Sequence, residues 1–183
     1  TQSMPAVRVQ FGPAIRKTIA HEVRRLGASR AMVLSTPDQS DAAIEIAELL
    51  GPLAAGVFCK AAMHTPTHVT KAGLAHVAET KADCLIAIGG GSTTGLGKAI
   101  AYQNDLPQIT IPTTYAGSEA TPILGQTEDG VKTTLSDPRV LPEVILYDPE
   151  LVASLPVSMT VTSALNAMAH AAEALYATNR TDQ

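Results

Sequence analysis

The stretch Asp83–Tyr102 constrains the fold more than any other part of the sequence. Leu85–Ile88 is a short apolar run of the kind a buried parallel strand needs. Gly89, Gly90 and Gly91 interrupt it, and Ser92, Thr93 and Thr94 supply hydroxyls of the type that cap helices. The apolar pattern resumes at Leu96, Ile100 and Ala101, so the order predicted is strand, glycine turn, helix. That order forms an anion site. Glycines let backbone N–H groups approach a phosphate, and a helix N-terminus adds partial positive charge. Lys98 falls within the first turns of the predicted helix.

Two better-known phosphate motifs fail on these residues. A P-loop requires Gly, four residues, then Gly-Lys-Ser/Thr. Here Ser92 stands where the first Gly belongs, and Ala99 follows Lys98. The dinucleotide fingerprint Gly-x-Gly-x-x-Gly begins at Gly89 and Gly91 but meets Thr94 in third place. A glycine turn that merely reverses the chain is the plain alternative. Three glycines followed by three hydroxyls exceed what such a turn needs.

At 183 residues, with 45% hydrophobic and 16% charged, the chain has the means to bury a sizeable core. A net charge of −4 argues against a nucleic-acid or membrane surface, and the absence of Trp against stacking on single strands. No apolar run approaches membrane-spanning length, and the start lacks the apolar core of a signal peptide. Cys59 and Cys84 lie in apolar runs without metal-type spacing, which predicts reduced thiols and a cytoplasmic protein.

Taken in order, Val7–Phe11 reads as a strand and Ala14–Leu26 as a helix opened by Pro13 and closed by Gly27. Arg16, Lys17, Arg24 and Arg25 read as its solvated face. Ala31–Leu34 is the second strand, followed by Ser35, Thr36 and Pro37, then a helix over Asp41–Leu50 capped by Ser40. Val57–Cys59 is a third strand, and a helix with Pro66 at its first position runs to about Thr80. After the central motif come a strand at Gln108–Ile111, a hairpin Ile123–Glu128/Val131–Leu135 turning at Asp129-Gly130, and a last strand at Val144–Tyr147. Alternating strands and helices predict an α/β fold: a Rossmann-like parallel sheet with helices on both faces, plus the hairpin. Met159–Thr178 is Ala-rich and helical in pattern. The change of composition near 155 predicts a nucleotide-binding domain over 1–155 and, over 156–183, the first helix of an all-helical domain whose remainder is absent. The alternative is that this helix simply covers the sheet.

Ligands of open α/β sheets sit at the carboxyl ends of strands. Hydroxyls and glycines collect at four such ends: Ser35 and Thr36; Gly89, Gly90, Gly91, Ser92, Thr93 and Thr94; Thr113, Thr114, Gly117 and Ser118; and the segment to Thr121. Donors with few formal charges suit a pyrophosphate bound without metal. No carboxylate directly follows the second strand to hold a ribose 2′-OH, so a 2′-phosphate would not be repelled, although Asp38 is near.

Gly89–Ser92 with Lys98, then Pro112–Glu119, Lys132 and Asp148–Leu151, resemble the iron-containing alcohol dehydrogenase superfamily through nearly the whole chain. The resemblance implies that Gly89, Gly90, Gly91 and Ser92 bind a pyrophosphate, and that Thr113, Thr114, Ser118, Thr121 and Lys132 line the nucleotide site. Two departures matter. Gly95 stands where the family usually has Asp, and Asn166-Ala167-Met168-Ala169-His170 stands where it offers Asp-x-x-x-His to a divalent metal. The i, i+4 spacing keeps both side chains on one face, but a neutral amide is a much weaker ligand than a carboxylate. These features are most similar to the maleylacetate reductases, a metal-independent branch. That resemblance implies NADH or NADPH as cofactor, no metal, a dicarboxylate enone as substrate and a homodimer. His170 or Asn166 would polarise the ketone oxygen, and the general acid would lie in the absent half, leaving this piece inactive alone. A metal-dependent alcohol or polyol dehydrogenase and a non-catalytic nucleotide-binding module are the rival readings.

Overall fold

In the computed structural model, which describes residues 6–153 and 155–177, the apolar runs become the strands of one parallel sheet. These are β1 (Arg8–Phe11), β2 (Ala31–Leu34), β3 (Ala54–Phe58), β4 (Cys84–Gly89) and β5 (Gln108–Pro112). After the antiparallel hairpin of β6 (Ile123–Glu128) and β7 (Val131–Ser136), β8 (Val144–Tyr147) completes it. The spatial order is β1-β8-β5-β4-β2-β3.

Period-two alternation divides the sheet between two cores. Ala31, Val33, Cys84, Ile86, Ile88, Ile109, Ile111, Val144 and Leu146 face helices α1 (Ile19–Arg25) and α2 (Ser40–Leu50), through Ile19, Val23, Ala43, Ile46 and Leu50. Met32, Leu34 and Leu85 face the other way, toward α3 (Thr67–Thr80) and α4 (Gly91–Asn104), through Val77, Leu96, Ile100 and Ala101. The adjacent strands β2 and β4 therefore send their following helices to opposite faces. A crevice opens between their carboxyl ends, which is the switch point where ligands of such sheets bind.

Helix α4 is enclosed on nearly all sides. Gly97 faces the sheet, with Ala87 Cβ 3.5 Å from where a Cβ of its own would be. Gly73 lets α3 close on it, since a Cβ there would sit 2.8 Å from Ile100 Cδ1. Leu124 of β6 and Val140 cover Ala99 from outside. The last two helices are α5 (Pro149–Val152), capped by the Asp148 carboxylate on the Glu150 N–H, and α6 (Val157–Tyr176). No residue of α6 is buried. Among the described residues no helix is long and apolar enough to cross a membrane.

Four local expectations change. The helix predicted from Ala14 begins as a 3-10 turn at Ile15–Thr18, and α1 proper starts at Ile19. The cause is remote: the buried Asp148 carboxylate accepts the N–H groups of Ala14 (3.1 Å) and Arg16 (3.4 Å), holding Ala14 at φ 55° and tightening the turn. Arg16 is accordingly not a solvated side chain; it bridges Glu45 (2.8 Å), Asp148 (2.8 Å) and Glu150 (2.7 Å). Ser40 lies inside α2, behind a 3-10 turn at Pro37–Gln39, and makes no capping bond. Pro66 precedes α3 as its N-cap rather than opening it, because Thr65 and the Pro66–Thr127 bridge tie that segment to β6. The terminal part of the predicted last helix, at Thr178, lies outside the described residues.

Candidate nucleotide site

The turn between β4 and α4 is built around bare Cα atoms. Gly89 has φ +150°, where a side chain is strained, and a Cβ there would overlap Thr93 Oγ1 and lie 2.7 Å from Gln39 Oε1. Gly90 is the N-cap of α4, and its carbonyl accepts the N–H groups of Thr93 and Thr94 (3.1 Å each). Among the described residues Gly91 and Ser92 make no backbone hydrogen bond through their N–H groups, which leaves two donors of the first turn for a ligand. Helix-capping by Ser92, Thr93 or Thr94 does not occur; all three lie within α4, and Thr93 is fully buried.

The loop after β5 closes over this turn. Thr113 N–H donates to Gly89 O (3.0 Å), and a Cβ at Gly90 would sit 3.0 Å from Thr114 Cγ2. Gly91 is open toward Ser118, whose Oγ lies 4.0 Å from where a Cβ would be. Ser118 Oγ and Thr93 Oγ1 are buried with no hydrogen-bond partner among the described residues. Bare backbone donors and an orphaned buried hydroxyl fit an oxygen-rich anion such as a pyrophosphate.

Lys98 holds the far side of that loop in place. It is only 1% exposed, and its ammonium donates to the carbonyls of Ser118 (2.5 Å), Thr121 (2.6 Å) and Ile123 (3.0 Å). Burial pushes its pKa down to about 8, against an opposing effect of Glu119. Glu119, also buried, accepts the Tyr147 hydroxyl (3.0 Å), and Tyr147 is pushed up by burial and by this carboxylate. Lys98 is thus a structural clamp on the loop rather than a phosphate ligand.

Three adjoining cavities follow the crevice. One of about 290 Å³ collects Thr36, Gln39, Gly90, Thr113 and Thr114, with Met159 of α6 on its far wall. A second, about 390 Å³, lies between Tyr115, Ser118 and Thr121 on one side and Asn166 and His170 on the other. A third, about 440 Å³, is largely apolar and runs past Thr114, Tyr115 and Tyr147 to Phe11. The structure therefore brings together Thr36, Gly90, Thr113 and Thr114 at one point, and Ser118, Thr121, Asn166 and His170 at the next.

Other predicted residues stand back from the crevice. Ser35 is fully buried and donates to the Thr36 carbonyl (2.9 Å). Gly89 and Thr93 form the floor beneath the turn, whereas Gly91 and Ser92 begin α4 and keep their N–H groups toward the crevice. Lys132 is exposed on β7 with its side chain against Gly125. Gln39, Lys98 and Glu119 are site residues missing from the predicted set. The only sequence signal among them was Lys98, a lone charge inside an apolar helical stretch. Among the described residues no group of three or more His, Cys, Asp or Glu side chains converges as a metal ion would require.

Sheet order, switch-point crevice and glycine turn define a doubly wound α/β domain with an anion-accepting helix N-terminus. The model of the family described as iron-containing alcohol dehydrogenase matches residues 6–149, and the chain belongs to that family. It is 63% identical over 173 residues to the maleylacetate reductase of Rhizobium sp. (strain MTP-10005), covering 94% of this chain and 49% of that protein. The crystal structure of that Rhizobium reductase superposes with a TM-score of 0.96 at 60% identity, over 100% of this chain and 52% of the other. The maleylacetate reductase of Agrobacterium tumefaciens gives a TM-score of 0.95 at 59% identity, over 98% and 51%. The chain spans about half the length of the curated relatives it matches.

Proposed function

We propose that the protein containing this chain is an NAD(P)H-dependent reductase that converts the enone maleylacetate to 3-oxoadipate without a metal ion. The observation that carries this reading is the face of α6 that presents Asn166 and His170 to the cavity beside Ser118 and Thr121. Metal-holding members of the family that this chain resembles place Asp and His at that spacing. Residues 1–155 then form the nucleotide-binding domain and 156–183 begin a helical domain supplied by the rest of the protein; 178–183 lie outside the described residues.

A bound dihydronicotinamide supplies the hydride. The carbon β to the ketone receives it, the electron pair of the double bond moves onto the ketone oxygen, and a proton then adds at the α carbon. In this chain the Gly91 and Ser92 N–H groups and the Ser118 and Thr113 hydroxyls hold the pyrophosphate. Asn166 and His170 donate hydrogen bonds to the ketone oxygen as it gains charge, the role a metal Lewis acid plays elsewhere. The clamp for the two substrate carboxylates and the proton donor belong to the other half. Thr36 beside the ribose leaves either NADH or NADPH acceptable, and a cytoplasmic homodimer is the assembly in which we place the enzyme.

The test is reduction of maleylacetate by the full-length protein, assayed after exhaustive chelation and accompanied by elemental analysis. Activity that survives chelation in metal-free protein is the expected result. Stoichiometric metal with activity lost on chelation would replace this reading by a metal-dependent alcohol dehydrogenase. Asn166→Asp should raise Zn²⁺ affinity and lower enone reduction, since a fixed anion opposes charge developing on the ketone oxygen.

A further inference from the structure

We propose that Gln39 is a positioning residue of the nucleotide site: it keeps the Thr113 hydroxyl proton free for an anionic ligand at the glycine turn. The inference rests on the dinucleotide reading above. Gln39 ends the 3-10 turn after β2, and its side chain crosses the mouth of the crevice to the end of β5. There Nε2 donates to Thr113 Oγ1 at 2.9 Å. The same amide rests on the bare Cα of Gly89, with Oε1 2.7 Å from where a Cβ would be. One side chain therefore joins the carboxyl ends of β2, β4 and β5.

The consequence lies in the valence of a hydroxyl. Thr113 Oγ1 has one proton and two lone pairs, and the Gln39 N–H occupies one lone pair. Among the described residues that proton has no acceptor, although Thr113 is buried. Gln39, Gly90, Thr113 and Thr114 line one cavity, where an oxygen-rich ligand is the natural taker of that proton. Because Gln39 acts as donor, Thr113 cannot turn its proton inward. Asp38 is on the same wall and, among the described residues, no Lys, Arg or His lines the cavity, so an anion there depends on such oriented dipoles.

Glutamate in place of Gln39 has the same shape but only accepts. It would draw the Thr113 proton toward itself and place a negative charge beside the turn. Titration of the full-length protein with NADH, followed by nicotinamide fluorescence, tests this, with thermal melting to check folding. Gln39→Glu should weaken binding by about tenfold or more, and Gln39→Ala by about threefold. In a Thr113→Val background Gln39→Ala should change binding by less than about twofold, because the hydroxyl it orients is gone. A merely structural Gln39 would give the same loss in both backgrounds, and that result, or wild-type affinity in a folded Gln39→Glu, overturns the inference alone. Failure of the wild type to bind NADH overturns the dinucleotide reading and the role of Gln39 with it.

Discussion

Helices α4 and α6 both border the crevice, yet they are held in opposite ways. Eight of the fourteen residues of α4 are buried, Gly73 lets α3 press against it, and a buried lysine ties its side to the next loop. Helix α6 buries none of its twenty residues; Leu165 and Met168 are exposed, and the ion pair His170 makes among the described residues is with Glu173, at 3.7 Å. The groups proposed to hold the cofactor thus sit on elements fixed by the described residues. Those proposed to act on the substrate sit on a helix none of whose residues is buried by them.

The largest test of that contrast is Lys98→Met. Three loop carbonyls lose their donor in a dry environment, which should lower stability by about 3 kcal/mol or more. The wild type should also respond to pH. The unfolded chain keeps the Lys98 proton up to its ordinary value of 10.5, whereas burial brings the folded value down to about 8. The folded state binds fewer protons in that window, so stability relative to Lys98→Met should rise from about pH 8 to 10.5. Denaturant melts of both proteins across that range check the sign; a falling difference would show that the carbonyls outweigh burial.

Next in size is Gly95→Ala. A Cβ there would overlap Thr65 Oγ1, and Thr65 is buried with a left-handed backbone (φ 47°) in a segment bonded to β6. A loss of about 1–3 kcal/mol is expected, recovered in part by adding Thr65→Ser if the threonine methyl limits how far the hydroxyl can retreat. Smallest is His170→Ala, which should move the melting free energy of this chain by no more than about 0.5 kcal/mol. Hydrogen exchange completes the comparison: α4 amides should open only with global unfolding and those of α6 far faster. Equal protection would show that α6 is fixed by contacts beyond those described.

What the sequence made legible follows the range of the interactions. Strands such as Val144–Tyr147 and the Asp129-Gly130 hairpin were readable because apolar runs and turn chemistry are local; both turn residues have positive φ, 50° and 78°. The start of α1 was not, because the acceptor that tightens it, Asp148, is 134 positions away. Nor were the roles of Gln39 and Lys98, whose partners lie 74 and 20 or more positions off, although Lys98 stood out as a lone charge. Ser35 and Lys132 carry the right chemistry for the site, and only the fold shows one beneath the crevice and the other on an exposed hairpin strand.

The edge strand β1 has a single neighbour, β8, and Ala14 and Arg16 depend on Asp148 just beyond it. On a ribosome adding roughly 5–20 residues per second, the first strand waits about 7–30 s for its only partner. Through that interval the backbone N–H and C=O groups of Arg8–Phe11 have no ladder to join. The growing chain can complete β2, β3, β4 and β5 first and add β1 last. Nascent-chain pausing anywhere between Phe11 and Val144 should therefore lengthen the exposure of this segment to chaperones and proteases, and pausing after Tyr147 should not.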